Sequence, residues 1–498
     1  MFRQDALTPN PAKPSRRQIL KGIAGLSILG SLGTIGTFAG PGGGREELSA
    51  DNPLPIGPPL SDRDDAFLEE IEHANFLYFW EQTSPITGLT RDRYNVRNGD
   101  GTDLCSIAAT GFGLTALCIG EKRGYISYEQ ASERALAAMR FLYHKLPNQR
   151  GFFYHWADFN TGRRLAHSEV SSIDTAILLC GVLTCREHFP HSEINELATR
   201  IFDRVDWRWL SEDTLLLPMG WSPEQGFLHY RWDNYCELMM MYLLGLGSST
   251  HALPAGTWEA WKRKMFNYEG IEYIGSMAPL FVHQYSQAWF DFRSKRDQYA
   301  DYYENSILAT EAHRRWCLSL ARQFPDYSDD LWGISASDSR KSYTVWGGPP
   351  RSGPIDGTVV PCAAAGSLPF LPDQVMRVLH TIKGQYGAGT WCRYGFVDAF
   401  DPLTNWYDSD VIGIDTGITI LMAENARTGW VWNTFMKNPE AQRGMERAGF
   451  KSYAPAPYPI IRPQEVFHAA KRRSSPKRLS AALNADADSY AQARNAQR

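Results

Sequence analysis

Two kinds of helical segment alternate along the middle of this chain, and that alternation restricts its folds more than any other feature. Asp65 to Gln82, Ser127 to Lys145, Ser192 to Leu210 and Pro372 to Lys383 carry apolar residues at three- and four-residue spacing, with charges between them. That is the pattern of helices with one wet face. Ser106 to Gly120, Ser172 to Cys185, Tyr235 to Gly247 and Ile414 to Ala423 are small or apolar on nearly every face. A helix apolar all round must be buried. Wet and buried helices taken in turn describe two concentric layers. The predicted fold is all-α, an (α/α)6 barrel, with short β pieces around Thr344 to Trp346 and Thr358 to Pro361. A length of 498 residues suggests two or three domains. No Pro/Gly/Ser-rich linker interrupts the middle, however, so a single barrel domain is expected over 61–463.

The two ends read differently. Ser15-Arg16-Arg17-Gln18-Ile19-Leu20-Lys21 precedes an uncharged, Gly-rich apolar run from Gly22 to Ala39. Twin arginines ahead of a short, weakly apolar segment match a twin-arginine export signal over 1–40, not a permanent membrane span. Residues 41–60 read as a flexible lead-in and 464–498 as a disordered tail. The expected location is periplasmic or secreted. A net charge of -4 argues against nucleic acid and against an anionic membrane surface as partners. Eight cysteines, none in a Cys-x-x-Cys pair, sit mostly in apolar runs, which favours buried thiols over disulfides. No His/Cys cluster has ligand spacing, so no metal is expected.

The buried helices share one feature: acids near their beginnings. Glu169 and Asp174 flank the start of one, Asp233 and Glu237 another, and Asp415 a third, with Asp356 ahead of the Thr358 segment. Helix starts favour acids as caps in any protein. In an alternating barrel, though, the inner helices run parallel, so these acids would pool at one mouth with Trp156, Trp221, Trp232, Trp391 and Trp406. Glu237 is placed a turn inside its helix, among apolar neighbours that would raise its pKa. The segments Met219 to Phe227, His283 to Arg293 and Trp391 to Phe400 mix rings with planar polar groups, as sugar-binding loops do. Candidate substrate contacts are therefore Arg231, His283, Gln284, Asp291, Arg293 and Tyr394, together with those tryptophans.

Several of these motifs resemble one family. Ser168-Glu169-x-Ser-Ser-Ile-Asp174, Gly220-Trp221-Ser-Pro-Glu, His283-Gln-Tyr-Ser, Trp332-Gly-Ile-Ser-Ala-Ser-Asp338, Tyr394-Gly-Phe-Val-Asp-Ala-Phe400 and Gly413-Ile-Asp415-Thr-Gly417 stand as in the glucoamylase-like domain of glycoside hydrolase family 144, the bacterial β-1,2-glucanases. The resemblance runs from about Asp65 to Phe450. It implies an (α/α)6 barrel, no metal or other cofactor, and endo-acting, inverting hydrolysis of β-1,2-glucan to sophoro-oligosaccharides. Glu237 is then the general acid and Asp415 the general base, with Glu169 and Asp174 in the same pocket; Asp398, Asp408 and Asp410 are rivals for the base. The chain departs from the family at Cys236, where an Asp is usual, and at Gln287, where His is common. On the residues alone two other readings stay open. A lyase or epimerase on a similar barrel would use His155, His167, His229 or His283 as a proton carrier, and a glycan-binding protein would leave the chain length of its ligand unchanged.

Replacing Arg16 and Arg17 with Lys is expected to leave unprocessed precursor in the cytoplasm. Normal recovery of that variant from the periplasm would show that the address has been misread.

Overall fold

The structure is a computed structural model and describes residues 60–190, 192–349 and 353–453. The twin-arginine signal, nearly all of the lead-in, the tail and the end of the expected domain beyond 453 lie outside the described residues.

Helices dominate, joined by strands of two to four residues. The first half of the chain supplies α1 (Asp62–Glu81), α2 (Ile107–Lys122), α3 (Tyr128–His144), α4 (Ser172–His188), α5 (Ser192–Asp203), α6 (Trp207–Ser211) and α7 (Met239–Gly247). The second half supplies α8 (Thr257–Ala260), α9 (Phe281–Trp289), α10 (Tyr302–Ser319), α11 (Pro361–Ala365), α12 (Pro372–Thr390), α13 (Gly413–Thr428), α14 (Trp430–Phe435) and α15 (Pro439–Arg447). Helices α2, α4, α7, α9, α11 and α13 are buried along nearly their whole length, whereas α1, α3, α10 and α12 bury one face.

Local chemistry sets the boundaries. Ser106 caps α2 by accepting from the Ala109 N–H, and Ser127 with Gln130 closes a capping box on α3. The expected helix Ser192 to Leu210 is two helices, because Asp206 turns the chain. Its N–H donates to the Arg150 carbonyl and its side chain caps α6. The helix expected from Tyr235 starts only at Met239. Residues 233–235 are committed to Lys262 through the Lys262 N–H to Asp233 and Tyr235 N–H to Lys262 carbonyl bonds, both 2.8 Å. The β piece at Thr344–Val345 is present, paired with Ala336–Ser337. The one at Thr358 to Pro361 is not a strand: Val359 makes an isolated bridge to Phe400, and Pro361 opens α11.

The buried helices pack on one another, α2 on α4 and α13, α4 on α7, and α9 and α11 on α13. Glycine lets α2 and α4 touch backbone to backbone, since a Cβ on Gly181 would overlap the Gly111 carbonyl oxygen. The segments leading into these helices are stitched together. Leu104–Ser106 pairs with Trp156–Asp158, Val170–Ser171 with Gly220–Ser222, and Arg93–Asn95 with Asp410–Ile412.

At the far end of α13, Glu424 and Arg427 join a buried ionic network. Arg427 donates to Glu69 and Glu72 at 2.8 Å and to Asp65, while Lys122 and Arg123 hold Glu424. Four acids face three cations, so one negative charge is in excess. Burial, and then Glu424, push the Glu72 carboxyl from 4.5 up to about 8. The native state thus holds a proton that the unfolded chain releases, and this group lowers stability as pH rises from about 4.5 to about 8. Glu72→Gln is expected to flatten the fall in urea-unfolding free energy between those pH values. Arg427→Ala, which strands the buried acids, should cost about 3–5 kcal/mol. Equal pH slopes in wild type and Glu72→Gln would show that the proton sits elsewhere.

Candidate active site

Acidic side chains collect where the chain enters α2, α4 and α13. Arg93, in the strand beside Asp410–Ile412, donates from Nη1 to Asp338 Oδ2 at 2.6 Å and to Asp410 Oδ2 at 3.3 Å, and from Nε to Asp92 Oδ2 at 3.1 Å. Asp398 accepts the Asp338 N–H at 2.6 Å and lies among the carboxyl groups of Asp415, Asp338 and Asp408. Asp415 stands in the first turn of α13, and its Oδ1 accepts from the Cys362 thiol at 3.2 Å. A small cavity is lined by Asp398, Asp415, Cys362, Thr416, Thr419 and Asn75.

Asp92, Asp338, Asp398, Asp408, Asp410 and Asp415 are all buried, and Arg93 is the guanidinium bonded among them. Ionising every one so far from water is prohibitive. Burial raises Asp92, with Arg93 opposing it. Burial and then the charges of Asp415, Asp338 and Asp408 push Asp398 well above the ordinary carboxyl range. Oxygens of Asp338, Asp398 and Asp408 lie within 4.8 Å of one another, a spacing at which one cation could be held between them. Arg93 answers Asp338 and Asp410, while Asp398 accepts a backbone N–H.

A second group lies at the start of α4. His155 Nδ1 is 3.4 Å from Glu169 Oε1, and Nε2 is 3.7 Å from Asp174 Oδ2. The ring stacks on Trp156 at 4.0 Å. Asp174 also accepts from the hydroxyl of Ser171, the α4 cap, whose oxygen in turn accepts the Asp174 N–H. His155 lowers the carboxyl pKa of Asp92, which links this group to the Arg93 cluster. His167 and His229 are exposed, and of the four candidate histidines His155 is the one set among these acids.

Glu237 is buried, at 2% exposure, but stands in the turn before α7 and not a turn inside a helix. Its carbonyl accepts from Ser286 of α9, and its carboxyl bonds the neighbouring Cys236 thiol. The Trp232 indole donates to Ser172 at 2.8 Å and thereby ties the approach to α7 to the start of α4.

The segment His283 to Arg293 is not a binding loop. Its first part is the buried helix α9, whose polar side chains bond inside the protein. Gln284 donates to the Ala363 carbonyl and Ser367 Oγ, both 2.8 Å, and Gln287 to the Tyr302 carbonyl at 2.8 Å. His283 bonds the Tyr235 hydroxyl, and burial pushes it down to about 3, so it stays neutral. Asp291 and Arg293 pair with each other under Trp432. Arg231 pairs with Glu212, and buried Tyr394 bonds Gln82 and Glu81 of the α1 end. Trp156, Trp221, Trp391 and Trp406 are half-buried and keep part of their surface open. The sequence reading passed over Asp92 and Arg93. Their one signal is an Arg-Asp-Arg run, which reads as a solvated turn until Asp410–Ile412 is laid beside it.

The family model described as "Putative glucoamylase" matches residues 229–439. The chain is similar to an endo-β-1,2-glucanase from Chitinophaga pinensis, solved with sophorotriose and glucose. Identity is 30%, covering 79% of this chain and 99% of that one, with a TM-score of 0.74. A Bacteroides fragilis structure described as a putative glucoamylase is 30% identical, covering 82% and 100%, with a TM-score of 0.73. An exo-β-1,2-glucooligosaccharide sophorohydrolase from Parabacteroides distasonis is 28% identical over 423 residues, 77% of this chain but 58% of that protein's length.

Gln284→Ala leaves a buried carbonyl and hydroxyl without their donor. It is expected to cost about 1–3 kcal/mol in thermal or urea unfolding while leaving the KM for substrate unchanged. A large rise in KM at unchanged stability would return Gln284 to the binding surface.

Proposed function

This chain belongs to the glucoamylase-like family, and from that membership we propose that it hydrolyses β-1,2-linked glucan. The observation that carries the reading is the buried acid cluster at the starts of α4 and α13, in a chain that aligns with nearly the whole C. pinensis endo-β-1,2-glucanase. The (α/α)6 barrel is part of the proposal. It is supported by the alternation of buried α2, α4, α7, α9, α11 and α13 with partly exposed helices. Endo action is proposed by similarity to that same enzyme, and export through the twin-arginine route from Arg16 and Arg17.

In the proposed mechanism Asp415 removes a proton from water as the water attacks the anomeric carbon. Glu237 protonates the departing glycosidic oxygen, and the configuration inverts. A carboxyl withdrawn from water as far as that of Glu237 is suited to carry a proton. Asp415, in the first turn of α13, has its anion favoured by the helix start. Glu169, Asp174 and His155 form the flank of the pocket, and the half-buried Trp156, Trp221, Trp391 and Trp406 supply ring faces for sugar. No cofactor is invoked.

Purified protein is expected to shorten β-1,2-glucan to sophoro-oligosaccharides and to leave starch, cellulose and laminarin intact. Release of sophorose alone from the first minutes would indicate exo action, as in the P. distasonis relative. Glu237→Gln and Asp415→Asn should each lower kcat by at least about a hundredfold with substrate still bound. If Asp415→Asn stays active and Asp398→Asn does not, the base is Asp398.

A further inference from the structure

Cys362 reaches the site from a helix that carries none of its acids. Pro361 opens α11 and makes Cys362 its second residue, and α11 packs on α13. The thiol donates to one oxygen of Asp415 at 3.2 Å inside the cavity that also holds Asp398, and the residue is 8% exposed. Cys118 and Cys185, by contrast, face each other and the Leu114 carbonyl.

We propose that Cys362 is a positioning residue for Asp415: its thiol fixes Oδ1, and with it the carboxylate plane, while donating too weakly to strip the group of its basicity. The proposal rests on the reading of Asp415 as the general base. A hydrogen bond to an ionised carboxyl favours the anion and weakens it as a base, and so does the first turn of a helix. A hydroxyl at this position would add a strong donor to that pull, whereas a thiol is a weak one. The charged groups facing Asp415 are Asp398, with Asp338 and Asp408 behind it, and Arg93 beyond them on Asp338 and Asp410. The remaining cavity neighbours Asn75, Thr416 and Thr419 are uncharged. A side chain that merely filled space between two helices would affect stability when replaced, and nothing else.

The test has two arms. In the first, kcat and kcat/KM on β-1,2-glucan are followed against pH. Cys362→Ser should move the acid limb of kcat/KM to lower pH with KM unchanged. Cys362→Ala, which removes the thiol's hold on Oδ1, should lower kcat by at least about tenfold, with partial recovery in the Ser variant. Wild-type kcat and pH limb in both variants would overturn the proposal. The second arm does not depend on catalysis. Modification of Cys362 by methyl methanethiosulfonate is followed by peptide mass spectrometry in wild type and in Asp415→Asn. Removing the facing negative charge should favour the thiolate and speed labelling about tenfold. Equal rates, or no labelling of either protein, overturn the pairing. Faster labelling in the Asn variant of a protein that cleaves no glucan would uphold the pairing and overturn the proposed substrate.

Discussion

Keeping carboxyl groups out of water with too few cations is the constraint that this structure is built around, and α13 carries it at both ends. Its first turn holds Asp415 against Asp398 and Cys362, and its last turns hold Glu424 and Arg427 in the network with Glu72. In a low-dielectric interior a second unpaired carboxylate beside the first cannot ionise cheaply, so each cluster retains protons. At the Glu72 end that retention is a matter of stability. At the Asp415 end burial and the neighbouring charges raise the Asp398 carboxyl beside the proposed base. The same electrostatics therefore does structural work at one end of a helix and is proposed to do catalytic work at the other.

Much of the polar shell around the acids is answered from within the protein. Arg93 is fixed by three aspartates, Trp232 by Ser172, Gln284 by the backbone of α11 and Ser367, and Gln287 by α10. Each bond replaces a contact with water, so the net gain per bond is small, but leaving any one unmade inside the protein is expensive. These residues are as constrained as the acids without touching them, which is why a planar polar side chain in the sequence is a poor guide to where a sugar binds. The two departures from the family pattern fall in this shell. Gln287 braces α9 against α10, and Cys236 bonds the carboxyl of Glu237. Thiols thus stand against both carboxyl groups proposed for catalysis, Cys236 on Glu237 and Cys362 on Asp415.

The sequence by itself determined the layers and most of the helices. A run such as Met239 to Gly247 has no polar face to offer water, and a run such as Ser127 to Lys145 has one, so their burial follows from composition and period alone. It also marked Asp415, Glu169 and Asp174, because acids at helix starts are a local pattern, and the motifs that carry the family resemblance. Tertiary structure decided which polar residues face a pocket. Asp92 and Arg93 lie far along the chain from Asp338, Asp398 and Asp410, and no local period foretells that one guanidinium will neutralise aspartates from three separate segments. His283 to Trp289 has the composition of a loop and became a buried helix, since its hydrogen-bond partners, Tyr235, Ala363, Ser367 and Tyr302, arrive from other helices and turns. Glu237 fell outside its helix because Lys262, well beyond the end of α7 in sequence, claims the backbone just before it. In each case the deciding energy is that of a buried polar group finding or failing to find its partner, and that partner is set by the fold and not by the neighbouring residues.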